Sequence, residues 1–125
     1  MIFDTDVMIW AFRGNVKALN AIDAAAARSI SAVTYMELLQ GVRSKTEMLS
    51  MKRFLSTLGF VTLPVTANIS ARAVSIMEQT ALKSDLGVCD ALIFATGLET
   101  GDRLLSGNAK HFKEVPLLDG AVFRP

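Results

Sequence analysis

The sequence predicts an α/β fold in three layers, a central parallel sheet of four or five strands with helices on both faces, in one domain over residues 1–125. Short apolar runs alternate along the chain with longer stretches of helix formers, the order of successive βα units. Hydrophobic residues make up 51% of the 125 residues and charged residues 20%. That composition excludes a disordered segment, and the length suffices to bury one core without disulfide or metal staples.

The elements follow in order. Met1 to Phe3 is an apolar run closed by Asp4 and reads as a buried strand, and Val7 to Phe12 reads as a short helix broken by Arg13-Gly14-Asn15. Val16 to Ala27, rich in Ala, Leu and Ile without Pro or Gly, predicts a helix, and Ser29 to Ser31 a brief second strand. Thr34 to Arg43 and Thr46 to Leu58 read as helices, with Gly41 weakening the first and Gly59 stopping the second. Phe60 to Leu63, before Pro64, is a third strand. Ala67 to Lys83 carries apolar residues at near-helical spacing and predicts the longest helix. After an interruption at Ser84 to Gly87, a helix resumes from Asp90 to Leu98. Arg103 to Ser106 gives a fourth strand, Asn108 to Phe112 a turn of helix, and Ala121 to Phe123 a fifth strand. In a parallel sheet of this kind, polar residues that matter sit at the carboxyl ends of the strands.

Thirteen Lys and Arg against twelve Asp and Glu leave a net charge of +1, so any nucleic-acid site must be local rather than a global basic field. The mean hydropathy of +0.38 is high for a soluble monomer and points to apolar surface covered by another chain. Cys89 stands alone, which excludes an internal disulfide or a cysteine-rich zinc site; it is expected as a small buried hydrophobe in a reducing compartment. No signal-peptide pattern or membrane span is read in the sequence, and the expected location is the cytoplasm.

Three acids stand where chemistry is expected. Asp4 closes the first strand, Glu37 lies just past the second, and Asp90 opens the helix before the fourth. Each has an ordinary alternative. Asp4 can cap the following helix, as can Asp6; Glu37, three residues after Thr34, fits a capping box; Asp90 fits an N-cap or compensates the helix dipole. Their joint placement points further, because a parallel sheet gathers all three on one rim, and ionising them together is costly without a cation. Oxygen donors without Cys or His favour a hard ion, Mg²⁺ or Mn²⁺, whose usual substrate partner is a phosphate. Phosphodiester hydrolysis follows as the natural chemistry. Metal-free RNA cleavage needs a paired acid and base, and the chain holds a single histidine, His111, read as a surface residue on the basic turn Lys110 to Lys113.

Four stretches, Met1-Ile2-Phe3-Asp4-Thr5-Asp6-Val7, Ile30 to Gly41, Asp90-Ala91-Leu92-Ile93-Phe94-Ala95-Thr96, and Leu104 to Phe112, resemble in order and spacing the PIN-domain nucleases, specifically the VapC toxins of toxin-antitoxin modules. The resemblance implies a PIN-like α/β/α sandwich, a Mg²⁺ or Mn²⁺ site, endoribonuclease activity on single-stranded or loop RNA, a homodimer, and inhibition by a cognate VapB-type antitoxin in a hetero-oligomer. It places Asp4, Glu37 and Asp90 on the family's three acids and Ser106 on a supporting Thr or Ser. Asn108 falls where many members carry a fourth acid, a departure that favours one ion over two. Thr5 and Asp6 fall in a supporting position, with Asp6 a candidate to reach the ion through water.

Arg13, Arg43 and Lys110, with Lys45, Lys52, Arg53, Arg103 and Lys113, are candidate phosphate contacts, though for each alone a solvated charge is the simpler reading. Trp10 and Phe12 are read as core or partner contacts before base-stacking groups, and Met36, Met48 and Met51 as core filling before a dimer surface. Two rivals remain open at this point. Asp4 and Asp6 on an apolar strand fit the D-x-D of a haloacid dehalogenase-type phosphatase, and a catalytically silent PIN module would bind RNA or a partner without cutting.

Overall fold

The computed structural model describes residues 1–125. Strands β1 (Ile2–Phe3), β2 (Ser29–Ser31), β3 (Val61–Leu63), β4 (Leu104–Ser106) and β5 (Gly120–Val122) form one sheet in the order β3-β2-β1-β4-β5, parallel throughout. The crossovers are α1 (Thr5–Phe12), α2 (Val16–Ala24), α3 (Ala32–Gly41), α4 (Lys45–Thr57), α5 (Ala67–Thr80) and α6 (Val88–Thr100), and a 3₁₀ helix, Ala109–Glu114, precedes β5. The expected architecture is borne out with five strands, and α5 is the longest helix.

Successive strand residues face opposite sides, so the strands feed two cores. Ile2 and Leu104 pack against α5 and α6, with Phe94, Ile76 and Val115 among the buried partners. Phe3, Ile30 and Leu105 pack against α1 to α4, with Val7, Ile22 and Met51. Edge-to-face aromatic contact reinforces the second core, where Phe3 and Phe60 have ring centroids 5.5 Å apart. β1 is buried completely and lies in the middle of the sheet, which is why its residues read as a continuous apolar run.

Side-chain caps set most helix starts: Asn15 accepts from the Ala18 N–H, Ser44 from Glu47, Thr66 from Ile69 and Ser31 from Val33. This moves several boundaries from the sequence reading. α3 begins at Ala32 rather than Thr34, because Ser31 at the end of β2 caps it directly. α6 begins at Val88, two residues before the expected Asp90, with Gly87 as a cap that offers no side chain. α2 stops at Ala24 and α5 at Thr80, each about one turn early, where solvent-exposed residues give the helix no further face to bury. No helix is long and apolar enough to cross a membrane.

Two burial expectations are corrected. Cys89 is exposed, since α6 starts before it and turns it off the buried stripe. His111 is buried, only 4% exposed, because the 3₁₀ turn folds inward and gives its ring three polar neighbours. Asp85 Oδ1 lies 3.3 Å from Nε2, while Glu114 Oε2 and Ser84 Oγ lie 3.2 and 3.3 Å from Nδ1. Of the methionines, Met51 fills the core as expected, whereas Met36 is exposed.

Candidate active site

All five strands run the same way, so Asp4, Ser31 and Ser106 stand at one rim, where β1, β2 and β4 end. Asp4 is both a cap and more than a cap. One carboxylate oxygen accepts from the Thr5 N–H at 2.7 Å, and the other accepts from the Ser106 hydroxyl at 2.6 Å, tying the end of β1 to the end of β4. The Asp4 side chain is nearly sealed from solvent. Burial drives its pKa from 3.8 up to about 6, the Ser106 hydrogen bond opposes this, and the negative charges of Asp6 and Asp90 push it further up. Asp6 and Asp90 thus lie within coulombic reach of Asp4.

The capping alternatives for the other acids fall. Thr34 lies inside α3 and not at its cap, so no capping box forms. The Glu37 carboxylate instead accepts from Thr5 Oγ1 at 2.6 Å, across a separation of 32 residues, and Thr34 Oγ1 lies 3.0 Å from the same hydroxyl. Asp90 occupies the first turn of α6 without capping it, where its charge suits the helix dipole. Asn108 donates from its side-chain amide to Asp90 at 3.3 Å, and its backbone N–H donates to Ser106 Oγ at 2.9 Å. Asp4, Ser106, Asn108 and Asp90 therefore form one connected chain of contacts, with Thr5 and Glu37 joined through the backbone at Asp4. Cys89 lies beside it: desolvation first, then the charges of Glu37 and Asp90, push its thiol pKa up, so the sulfur stays protonated and unreactive at neutral pH.

Asp6 plays a part the sequence did not reveal. One oxygen accepts from its own helix at Val7, and the other accepts from the Gly107 N–H at 2.9 Å. A Cβ on Gly107 would collide with that oxygen, so the close approach of the loop between Ser106 and Asn108 to the Asp6 carboxylate favours glycine there. Burial raises the Asp6 pKa against these backbone hydrogen bonds. With both oxygens engaged by backbone amides, Asp6 is not presented as the free acid-base group that the phosphatase reading requires. A glycine directly after a strand end was the one available sign of Gly107.

Among the basic candidates, Arg13 lines a cavity together with Glu37. Arg43 is paired with Glu47 at 3.8 Å and Lys110 with Asp85 at 3.2 Å, both on the surface. Arg103 precedes β4 and pairs with Asp119, at the rim opposite the acids. Lys45, Lys52, Arg53 and Lys113 are exposed. Trp10 is partly exposed, Phe12 packs edge-on against Phe54 at 5.7 Å, and Met48 is half-buried.

The donor set fits a hard divalent ion, with a restriction. No three His, Cys, Asp or Glu side chains converge as a ready-made cation cage. Mg²⁺ is commonly held by one or two carboxylates and keeps several waters, so a pair of aspartates on one rim matches its demand. The buried Asp4, flanked by like charges, is the observation that calls for a cation there.

The comparisons agree with this geometry. Residues 1–118 match the family model for the PIN domain. Among solved structures, the toxin-antitoxin complex from Klebsiella pneumoniae is 26% identical over 97% of this chain and 95% of that one, with a TM-score of 0.77. VapBC2 from Rickettsia felis, solved bound to a DNA fragment from its promoter, shares 22% identity over 99% and 100% of the two chains, with a TM-score of 0.85. VapBC-1 from nontypeable Haemophilus influenzae shares 18% over 98% of each, with a TM-score of 0.79. No curated protein gives a significant match to the sequence. The match over nearly the whole chain, on a fold of the same shape, establishes that the chain belongs to the PIN domain family, whose members are generally nucleases.

Proposed function

We propose that this chain is the toxin of a type II toxin-antitoxin pair, an endoribonuclease that hydrolyses phosphodiester bonds of single-stranded or loop RNA with Mg²⁺ or Mn²⁺. The observation that carries the reading is the buried Asp4 carboxylate, held by Ser106 among the charges of Asp6 and Asp90. Asp4 and Asp90 would hold the ion, with Glu37, whose carboxylate accepts from the Thr5 hydroxyl, as the third candidate acid. A bound divalent ion supplies charge neutralisation at the phosphate and lowers the pKa of a water.

The protein's own residues do the rest. Ser106 fixes the Asp4 carboxylate by donating to it, and Asn108 fixes Asp90 by the same means. The Thr5 hydroxyl sets the Glu37 carboxylate, the candidate acceptor for the proton of the attacking water. Asn108 is neutral where a fourth acid would add charge, which favours a single ion. Arg13, exposed and lining the same cavity as Glu37, is the candidate cation for a substrate phosphate, with Arg43 and Lys110 as secondary contacts once released from their surface partners.

The toxin role draws on the relatives, solved as toxin-antitoxin and VapBC complexes. An antitoxin partner, self-association and a cytoplasmic location belong to the same proposal. Exposed apolar residues, among them Val74, Val88 and Leu117, agree with a chain that works in an assembly. The test is expression of the chain alone, wild type beside Asp4→Asn, with growth and total RNA integrity followed, and the purified proteins assayed on single-stranded RNA with Mg²⁺, Mn²⁺ or chelator. Toxicity and cleavage are expected from the wild type alone, and cleavage only with the ion. Equal toxicity from both versions, or cleavage in chelator, would sink the proposal. A folded wild type that binds RNA without cutting it would favour the silent module.

A further inference from the structure

Two side chains of α3 meet a third from α1 beside the acid rim. Thr34 and Glu37 stand three residues apart on α3, hence on one face of it, and Thr5 is the first residue of α1. The Thr5 hydroxyl lies 2.6 Å from Glu37 Oε1 and 3.0 Å from Thr34 Oγ1. Thr34 is fully buried, at 0% exposure. Its hydroxyl behaves unlike those of the other buried helical threonines. Thr80 and Thr96 each donate at 2.8 Å to the carbonyl four residues back, those of Ile76 and Leu92, whereas Thr34 reaches off its own helix to Thr5. A sealed hydroxyl turned away from its helix needs that partner, since leaving it unpaired costs about 1–3 kcal/mol.

The proton count sets the direction of the two bonds. Each hydroxyl owns one proton, and a carboxylate only accepts. The shorter, charge-assisted contact takes the Thr5 proton to Glu37, so the bond between the threonines is made by the proton of Thr34. We propose that Thr34 is a positioning residue of the acid site, whose hydroxyl donates to Thr5 Oγ1 and thereby commits the Thr5 proton to Glu37. A helical threonine divides between two χ1 rotamers, and the bond from Thr34 holds Thr5 in the one that meets the carboxylate. A hydroxyl that accepts is also the stronger donor. Glu37 is thus fixed through Oε1, leaving Oε2 to an ion or a water. The bearing of this relay on catalysis rests on the ribonuclease reading; the orientation of Glu37 does not.

The test reads Glu37 directly. In metal-free protein isotope-labelled at the glutamate carboxyl carbons, the Glu37 signal is assigned with Glu37→Gln and followed by NMR at one pH. Thr5→Val is expected to shift it, Thr34→Val to shift it in the same direction, and the double variant to add nothing to Thr5→Val, because Thr34 acts through Thr5. Thr34→Ser keeps the hydroxyl and should hold the signal near its wild-type position. A role in packing alone gives the opposite ranking, since valine keeps the shape of threonine and serine does not. In RNA cleavage with Mg²⁺, kcat is expected to fall about tenfold in Thr34→Val with KM unchanged, and to recover in Thr34→Ser. Should Thr34→Val fail to fold, Thr34→Ala is read against Thr34→Ser by the same signal. An unmoved Glu37 signal in Thr34→Val, full additivity of the two valine changes, or a Thr34→Ser signal as displaced as that of Thr34→Val overturns the proposal. Wild type that cuts RNA while Thr34→Val leaves both the signal and kcat unchanged refutes the relay and leaves the nuclease standing. The expected shifts in a protein that cuts no RNA support the relay and remove the nuclease reading.

Discussion

Replacing Asp4 with asparagine tests the central physical claim, that this carboxylate is held ionised against its surroundings for the sake of function. The side chain is 4% exposed, and its pKa stands at about 6 in the folded protein against 3.8 for the free group. Below pH 3.8 the group is protonated whether folded or not and costs nothing. As the pH rises toward 6 the unfolded chain ionises first, and the folded state loses about 1.4 kcal/mol per unit. Above pH 6 the full penalty, about 3 kcal/mol, stays in place. Asparagine cannot ionise and escapes it. Its amide oxygen keeps the bond from the Thr5 N–H, but its NH₂ faces Ser106 Oγ, which already accepts from the Asn108 N–H, so the serine proton loses its buried acceptor at a cost of about 1 kcal/mol. Metal-free Asp4→Asn should therefore be about 2 kcal/mol more stable than wild type near neutral pH, a rise of roughly 6–10 °C in Tm, and about 1 kcal/mol less stable in acid. Thermal and urea melts in chelator, from about pH 3 to about pH 8, measure both limbs. Added Mg²⁺ should then raise the Tm of the wild type but not of the variant. A variant that is less stable than wild type by the same amount at every pH would refute the reasoning, for Asp4 would then carry no burial penalty to relieve.

Other outcomes follow from single contacts. Gly107→Ala brings a Cβ into collision with the Asp6 carboxylate; the loop holding Ser106 and Asn108 should shift, with a loss of about 1–3 kcal/mol and of divalent-ion affinity, and Asp6→Ala in the same chain should restore part of the stability in a double-mutant cycle. Thr5→Val removes the hydroxyl that holds Glu37 while keeping the shape, and is expected to weaken Mg²⁺ or Mn²⁺ binding by about 10- to 100-fold in calorimetry with an unchanged circular dichroism spectrum. Phe94→Ala, at a fully buried position against Phe112, should cost about 3–5 kcal/mol in denaturant melts. His111→Ala empties a buried ring bridged to Asp85 and Glu114 and should cost about 1–3 kcal/mol, read as a lower Tm.

The fold was legible because apolar runs and helix formers alternate over the whole length, and burial of both sheet faces leaves a near-continuous hydrophobic signature in β1 and β4. Errors gathered at element ends. Ser31 ends β2 and also caps α3, which puts Thr34 inside the helix and removes the capping-box alternative for Glu37. The exposure of Cys89 depends on where α6 begins, and the burial of His111 on which way a 3₁₀ turn folds, which its basic neighbours in the sequence hide. Local pattern cannot supply either fact.

The positions of Asp4 at a strand end and Asp90 at a helix start were likewise visible, but the bonds of the acids were not. Thr5 to Glu37 spans 32 residues, Asp6 to Gly107 spans 101 and Asp4 to Ser106 spans 102. The sequence by itself determined the parallel α/β architecture, the family and the rim on which Asp4, Glu37 and Asp90 stand, because periodicity and residue type are local properties. Only the tertiary structure decided which oxygen meets which hydroxyl or amide, that Asp6 clamps Gly107, and that the carboxylates do not converge three at a time into a cage. Those outcomes depend on distances of a few ångström between segments far apart in the chain, set when the two cores close on the sheet.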